Sequence, residues 1–377
     1  MTLDTLLIVV KYLDMKKKLI SCFLIIIFIA FIAFILIKNH ISGDLQRQLQ
    51  SISGGADKYT STSIDLFDTK TDIVGYSDSE EQFTKDSKVI IDKLSYYNRI
   101  YDIYNDYEGV NNVKTINDNA GTAPVKVDKE LIDMLKFGKE MYYETDGRIN
   151  IAMGSVLRIW HEYREAGLDN PDAAKLPSKE ELEDAAMHTN IEDMIIDEKA
   201  GTVYLQDERM SLDVGGVAKG YAVQQALDYA RSKGIDNILL NVGGNISCIG
   251  GRSDGSNFMV AIQNPDLESS EPYVEAFEIA DGECVVSSGD YQRYYEVDGK
   301  KYCHIINPDT LFPSEEFAQV SILAKDSGLA DGFSTAVFNM TIDDGKQFID
   351  EHEGVEAMWV MADGSKIYTQ GFKDYIK

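Results

Sequence analysis

The sequence predicts an α+β protein: a single folded domain with a mixed, largely antiparallel sheet, preceded by one N-terminal transmembrane helix. Three observations predict it. Leu19 to Ile37 is a run of nineteen residues without a charge, the length a helix needs to cross a hydrocarbon core. Between Glu81 and Tyr142 apolar residues recur at helical spacing. From Asn237 onward, short β-branched and aromatic runs succeed one another with glycine turns between them, and helical spacing returns only near the C-terminus.

The chain opens on residues 1–18, a short segment ending in Lys16, Lys17 and Lys18, whereas only Lys38 directly follows the apolar run. That asymmetry orients the span at residues 19–37 with the N-terminus in the cytoplasm and the body outside, at the cell membrane. A cleaved secretory signal is the competing reading; the length of the run and the lack of an A-x-A exit stand against it. Met15, directly before the three lysines, is an alternative start to Met1. Leu19-Ile20-Ser21-Cys22 has the form of a lipoprotein box, but the apolar run follows Cys22 instead of preceding it, which argues against lipidation. Residues 38–60 are polar, with Ser51, Ser53, Gly54 and Gly55, and suit a tether. The folded domain is expected over residues 61–377.

Within that domain Ser63 to Tyr76 has strand-like patches. Glu81 to Tyr104 places Phe83, Val89, Ile90, Leu94 and Tyr97 at helical spacing, and Val127 to Glu144 does the same with Leu131, Met134, Leu135, Met141 and Tyr142. A short acidic helix is expected at Lys179 to Ala186. Met194 to Asp197 and Thr202 to Gln206 read as a hairpin, followed by a strand near Met210 to Leu212. A long helix is expected from Val217 to Gly234, a residue suited to a left-handed helix end. Strands are then expected at Asn237 to Val242, Ile246 to Ile249, Phe258 to Ile262, Tyr273 to Ile279, Cys284 to Ser287, Tyr294 to Val297 and Tyr302 to Ile306. Helices at Ser327 to Met340 and Asp343 to Glu351 precede a last strand at Ala357 to Met361.

Charge narrows the functions. The formal charge is −27; residues 1–40 carry +3, so the body carries −30. Such a body repels phosphate backbones, which argues against non-specific nucleic-acid binding, and a dinucleotide would need a metal ion or locally placed donors. Cys22, Cys248, Cys284 and Cys303 lack CxxC spacing, which argues against structural zinc and leaves their redox state open.

Four motifs could carry chemistry. Leu212-Asp213-Val214-Gly215-Gly216-Val217-Ala218-Lys219-Gly220 lies at a strand-to-helix junction, where glycines admit a ligand and free N–H groups favour phosphate; Asp213 as a cap and Lys219 as a solvated first-turn residue are the plainer alternatives. Asn241-Val242-Gly243-Gly244-Asn245 reads first as a tight hairpin. Asp331 and Thr335, at i and i+4 of a helix, put a carboxylate and a hydroxyl on one face, a pair of hard oxygen ligands for Mg²⁺ or else a helix-dipole residue and a packing residue. His304 is one of five histidines and is either a general base or a hydrogen-bonded core residue. On a strand, Cys303 and His304 face opposite sides, which opposes a cysteine nucleophile paired with that base.

Taken in order, these blocks resemble the ApbE family of FAD:protein FMN transferases. LDVGGVAKGYAV (Leu212 to Val223), NVGGNI (Asn241 to Ile246), SSGDYQRYYEVDGKKYCHIINPDT (Ser287 to Thr310) and LADGFSTAVF (Leu329 to Phe338) are similar to its blocks in order and spacing. INDNAG (Ile116 to Gly121) and DGRINIAMGSVLRIW (Asp146 to Trp160) resemble its N-terminal half. The resemblance implies a T-fold-like domain with FAD in a cleft between two lobes. It implies FAD contacts at Asp213 and Lys219, a Mg²⁺ site from the Gly216 carbonyl with Asp331 and Thr335, and His304 as the base. The backbone of Arg148, Ile149 and Asn150, with Ile306 and Gly328, would line the flavin and adenine pockets, and Tyr107 or Tyr104 would be the aromatic near the flavin. Two departures are visible: Arg148-Ile149-Asn150 stands where the family commonly has an Ala-Phe-Asp-like segment, and Asn307-Pro308-Asp309-Thr310-Leu311 where it has Asp-Pro-x-Thr-Gly.

The activity so implied is Mg²⁺-dependent transfer of FMN from FAD to a Thr or Ser hydroxyl of an acceptor protein at the outer membrane face, with AMP leaving. The acceptors of the family are flavin subunits of redox complexes or electron-transfer proteins. A Mg²⁺-dependent FAD pyrophosphatase and a non-catalytic extracellular flavin-binding protein are the rival expectations.

Overall fold

The computed structural model describes residues 56–376. The expected span at residues 19–37 and the segment before it lie outside the described residues, as does most of the expected tether. Among the described residues no helix is long and apolar enough to cross a membrane.

The chain begins with β1 (Asp57–Leu66) and β2 (Thr69–Ser77), then α1 (Glu80–Tyr101), α2 (Val113–Asp118), β3 (Val125–Lys126), α3 (Lys129–Glu144), α4 (Gly154–Asp169) and α5 (Lys179–Ala186). The hairpin β4 (Met194–Asp197) and β5 (Thr202–Leu205) leads to α6 (Ala218–Ser232). Next come β6 (Ile238–Val242), β7 (Asn245–Ile249), β8 (Phe258–Gln263), β9 (Tyr273–Ile279), β10 (Cys284–Gly289), β11 (Tyr294–Val297), β12 (Lys300–Cys303) and β13 (Phe317–Ala324). The chain closes with α7 (Ser327–Phe338), α8 (Ile342–Asp350), β14 (Glu356–Met361), β15 (Lys366–Tyr368) and α9 (Gln370–Tyr375).

Eight strands form the main sheet in the order β1-β2-β6-β7-β10-β13-β14-β15. From β2 to β15 each neighbouring pair is antiparallel. This bears out the expected α+β class with a largely antiparallel sheet. Both faces of the sheet are covered. Along β10, Cys284 and Val286 face the larger core while Val285 faces a second one. β14 divides in the same way, with Ala357 and Trp359 on one side and Met358 and Val360 on the other, as the two-residue period of a strand requires. α1, α6 and α7 cover the first face, and the β8–β9 hairpin with α9 covers the second. A third cluster joins α4 and α5 to the β11–β12 hairpin through Met153, Val156, Trp160, Leu182 and Tyr295.

Fully buried Phe333, Phe338 and Trp359 fix α7 on the sheet. Each large apolar side chain removed from water stabilises the fold by about 2 kcal/mol, so Asp331 and Thr335 ride on a rigidly seated helix.

Two strand expectations need correction. Around Met210 to Leu212 there is only a single bridge, Met153 to Ser211, because Ser211 meets the start of α4 instead of a strand partner. The strand expected over Tyr302 to Ile306 ends at Cys303, so His304, Ile305 and Ile306 belong to the following loop, where Ile306 bridges to Pro313.

Candidate active-site cleft

A single cleft of about 790 Å³ gathers nearly all the residues singled out in the sequence, a volume within the range of about 300–1,000 Å³ usual for small-molecule sites. Its lining includes Tyr104, Tyr107, Arg148, Ile149, Asn150, Asp213, Gly216, Lys219, His304, Ile306, Asp331 and Thr335. Gly328 is the exception: it is buried in the first turn of α7 against Tyr221 and Phe137 and does not line the cleft.

The floor is the crossing of α6 and α7. Gly220 sits where a Cβ would strike the Ser327 carbonyl oxygen at 2.2 Å and the Asp331 Cβ at 2.5 Å, so only glycine lets the two helices approach this closely. That approach lets the Gly220 N–H donate to Asp331 Oδ2 at 2.7 Å and brings Lys219 Nζ to 3.8 Å from Asp331 Oδ1. Lys219 is therefore partnered inside the cleft. Burial pushes the Asp331 carboxyl above its usual range, with Lys219, the Gly220 N–H and the nearby Asn245 amide working against that shift. Asn245 is itself fully buried, yet neither of its amide atoms reaches hydrogen-bonding geometry with the protein. A buried carboxylate beside an orphaned amide has capacity left for a hydrated cation.

Gly216 completes this corner. A Cβ at Gly216 would sit 3.9 Å from Thr335 Oγ1 and 3.5 Å from Ile149 Cδ1. Neither Gly215 nor Gly216 has positive φ, so the pair supplies room for close approach, not an unusual backbone. Among the described residues no three His, Cys, Asp or Glu side chains cluster as metal ligands. A cation here would draw on one carboxylate, one hydroxyl, a carbonyl and the ligand's own oxygens, a set of hard donors that suits Mg²⁺. Asp213 is no helix cap: α6 begins after Val217, and Asp213 Oδ1 instead accepts from the Gly215 N–H at 2.9 Å. Its carboxyl is pushed up by burial, against the pull of that N–H and of His161, Arg293 and Arg164.

In the same cleft, His304 is held through its backbone, whose N–H donates to the Arg293 carbonyl at 3.0 Å. Enclosure by protein pushes the imidazole down to about 4, helped by the cations Arg293, Arg164 and Lys219. The ring is nevertheless open to cleft solvent, which screens those cations. His304 is thus neutral at physiological pH and able to accept a proton. Cys303 is buried and its thiol is pushed up to about 11, chiefly by desolvation, so it offers no thiolate nucleophile. Cys248, Cys284 and Cys303 are all free and buried.

The rim departs from the sequence reading in its details. The Arg148 guanidinium is paired with Asp309 and the Asn150 amide donates to the Thr189 carbonyl at 2.9 Å, so these side chains are occupied with the fold. The Tyr107 hydroxyl donates to Asp102 at 2.7 Å, whereas Tyr104 is 54% exposed and packs on His161 with ring centroids 5.3 Å apart. The sequence reading did not single out Phe67 and Asp68, His161 and Arg164 on α4, Ser288 or Arg293, all of which line the cleft. A basic residue within the SSGDYQRYY block was the one visible signal, for Arg293.

Known proteins resemble this chain in sequence and in fold. The sequence profile of the ApbE family matches residues 67–359. A curated FAD:protein FMN transferase of Klebsiella pneumoniae is 29% identical over 249 residues, covering 66% of this chain and 74% of that protein. Another, of Vibrio cholerae, is 28% identical over 296 residues, covering 77% and 83%. The crystal structure of an ApbE protein from Thermotoga maritima is similar with a TM-score of 0.74 at 26% identity, over 85% of this chain and 100% of that one.

Proposed function

The chain belongs to the ApbE family, and from that premise we propose that it is an FAD:protein FMN transferase that moves FMN from FAD onto a Ser or Thr hydroxyl of an acceptor protein. The observation that carries the reading is the convergence of Lys219, Asp331, Thr335, Gly216 and a neutral His304 on one cleft. The Gly216 carbonyl with the Asp331 and Thr335 side chains would hold Mg²⁺, which when bound would offset the pyrophosphate charge that this acidic body repels. Lys219, Arg164 and Arg293 add local cations for the same anion. Tyr104, Tyr107 and the backbone of Arg148, Ile149 and Asn150 supply flat and apolar surface for the ring systems, and Asp213 and Ile306 complete the lining.

In the transfer, His304 takes the proton of the acceptor hydroxyl as its oxygen attacks the FMN phosphorus. The bond to the bridging pyrophosphate oxygen breaks, and AMP carries that oxygen away. The product is a phosphoester-linked flavin. The charge-free run at residues 19–37, with its lysines on the N-terminal side, supports a membrane-anchored enzyme whose catalytic domain and acceptor lie outside the cytoplasm.

The test is incubation of the purified chain with FAD, Mg²⁺ and candidate extracytoplasmic redox proteins, read as AMP release and as an FMN-sized adduct by mass spectrometry. AMP and free FMN without any adduct would replace the transferase reading with a pyrophosphatase; no AMP at all would sink both.

A further inference from the structure

Behind Thr335 three hydroxyls and a carbonyl stand in single file. The Ser334 hydroxyl donates to the Asp331 carbonyl at 2.9 Å. Ser288, on β10, places its Oγ 2.7 Å from Ser334 Oγ and 3.4 Å from Thr335 Oγ1. Each hydroxyl owns one proton, and in either hydroxyl pair either oxygen can donate; only the Asp331 carbonyl is an obligate acceptor. In the order that satisfies this carbonyl, Ser334 gives it its proton and toward Ser288 can only accept. Ser288 must then donate to Ser334, and toward Thr335 it too can only accept. The Thr335 proton is left to point at Ser288.

The buried end favours this order. Ser334 is fully buried in α7 and the Asp331 carbonyl has no proton to give. The same arrangement removes the usual alternative for a helical threonine, which is to donate to the carbonyl four residues earlier: for Thr335 that carbonyl belongs to Asp331 and Ser334 already uses it. Among the described residues Ser288 Oγ is the one hydrogen-bond partner of Thr335 Oγ1. With its proton turned toward β10, the Thr335 oxygen keeps its lone pairs for the side where Gly216 and Asp331 lie.

We propose that Ser288 is a positioning residue which, through the file Thr335 to Ser288 to Ser334 to the Asp331 carbonyl, holds the Thr335 hydroxyl as a pure acceptor facing a divalent cation. This rests on reading Gly216, Asp331 and Thr335 as the cation corner. Removal of Ser288 frees the Thr335 proton to rotate toward the cation, and removal of the Ser334 hydroxyl lets Ser288 turn its own proton onto a Thr335 lone pair. Either change weakens the cation while leaving every ligand in place.

The test uses Mn²⁺ alone as the probe, titrated into the purified chain and followed by electron paramagnetic resonance, with thermal unfolding as the control for folding. Ser288→Ala and Ser334→Ala are each expected to weaken Mn²⁺ by about tenfold, the scale on which groups behind metal ligands act, and Ser288→Thr, which keeps the hydroxyl, to stay within about twofold of wild type. FAD binding without a divalent ion is expected to be unchanged in all three. Equal Mn²⁺ affinity in wild type and Ser288→Ala overturns the proposal but leaves the cation corner standing. No Mn²⁺ binding by the wild type overturns the cation corner and the proposal with it, while AMP release and adduct formation still judge the enzyme class separately.

Discussion

Lys219 Nζ stands 3.8 Å from Asp331 Oδ1 while the neighbouring Gly220 N–H donates to Asp331 Oδ2 at 2.7 Å. Two consecutive residues of α6 thus hold both oxygens of one carboxylate on α7, one with a strong hydrogen bond and one with a long ion pair. The ion pair is loose enough to open for the divalent cation proposed at this corner, while the hydrogen bond would keep the carboxylate aimed.

Asp331→Asn separates these two roles. The amide oxygen still accepts from Gly220, so the α6–α7 crossing survives, but the negative charge is gone. AMP release from FAD is expected to fall by about 10²-fold or more, the range for loss of a group that stabilises charge at the reacting centre. The divalent-free variant is expected to unfold at a temperature no lower than wild type, because a buried, incompletely paired carboxylate is unfavourable to the fold. Retained turnover would refute the cation corner.

His304 predicts a pH profile. Its imidazole is pushed down to about 4 by enclosure and by Arg293, Arg164 and Lys219, whereas an unfolded histidine titrates near 6.5. The acid limb of kcat/KM for FAD, which reports the free enzyme, is therefore expected below 6.5. The stability sign follows from proton counting. Between those values the unfolded chain binds more protons than the folded one, so His304 makes the fold lose stability as pH falls through 6.5 toward 4. His304→Ala should flatten that part of the stability profile and slow transfer by about 10²-fold or more.

Arg293→Met tests the cause of that shift. Arg293 is the first of the cations that depress the imidazole and makes no ion pair among the described residues, its guanidinium meeting only the Asp68 carbonyl at 3.5 Å. Without it the acid limb should move up toward 6.5, in the same kcat/KM profile. An unmoved limb would leave enclosure alone as the cause.

Much of this was legible in the sequence because the signals were local. The amphipathic spacing of α1 and α3 and the glycine turn between β6 and β7 depend on near neighbours. β13 was not legible although it is an interior strand of the sheet. Phe317-Ala318-Gln319-Val320-Ser321-Ile322-Leu323-Ala324 is buried on both faces, so its two-residue alternation disappears. α4 starts at Gly154 with Met153 before it and no side-chain cap, so nothing announces its first turn. The site divides on the same principle. His304, Asp331 and Thr335 stand in motif blocks, whereas Arg164 stands in none, and Ser288, although inside a block, gains its meaning only from Ser334 and Thr335 more than forty positions away, a relation that one-dimensional spacing does not contain.

The turns at the mouth of the cleft give a stability prediction of opposite signs. Phe67 and Asp68 link β1 to β2 with φ of 53° and 52°, and Gly243 links β6 to β7 with φ of 53°. The Phe67 N–H is fixed by Asn98 Oδ1 at 2.7 Å, so this left-handed pair is enforced by α1. Asp68 pays the steric penalty of its Cβ there, and a glycine at the second position of such a hairpin turn is the residue the geometry favours. Asp68→Gly is expected to stabilise the fold by about 0.5–1 kcal/mol, since the Asp68 carbonyl met by Arg293 is backbone and is retained. Gly243→Ala acts the other way: its Cβ would lie 2.3 Å from Thr69 Oγ1 in a left-handed conformation, for a loss of about 1–3 kcal/mol. Thermal and denaturant unfolding of both variants should move in opposite directions, and a shared direction would show that the two turns are not held in the conformations that line the cleft.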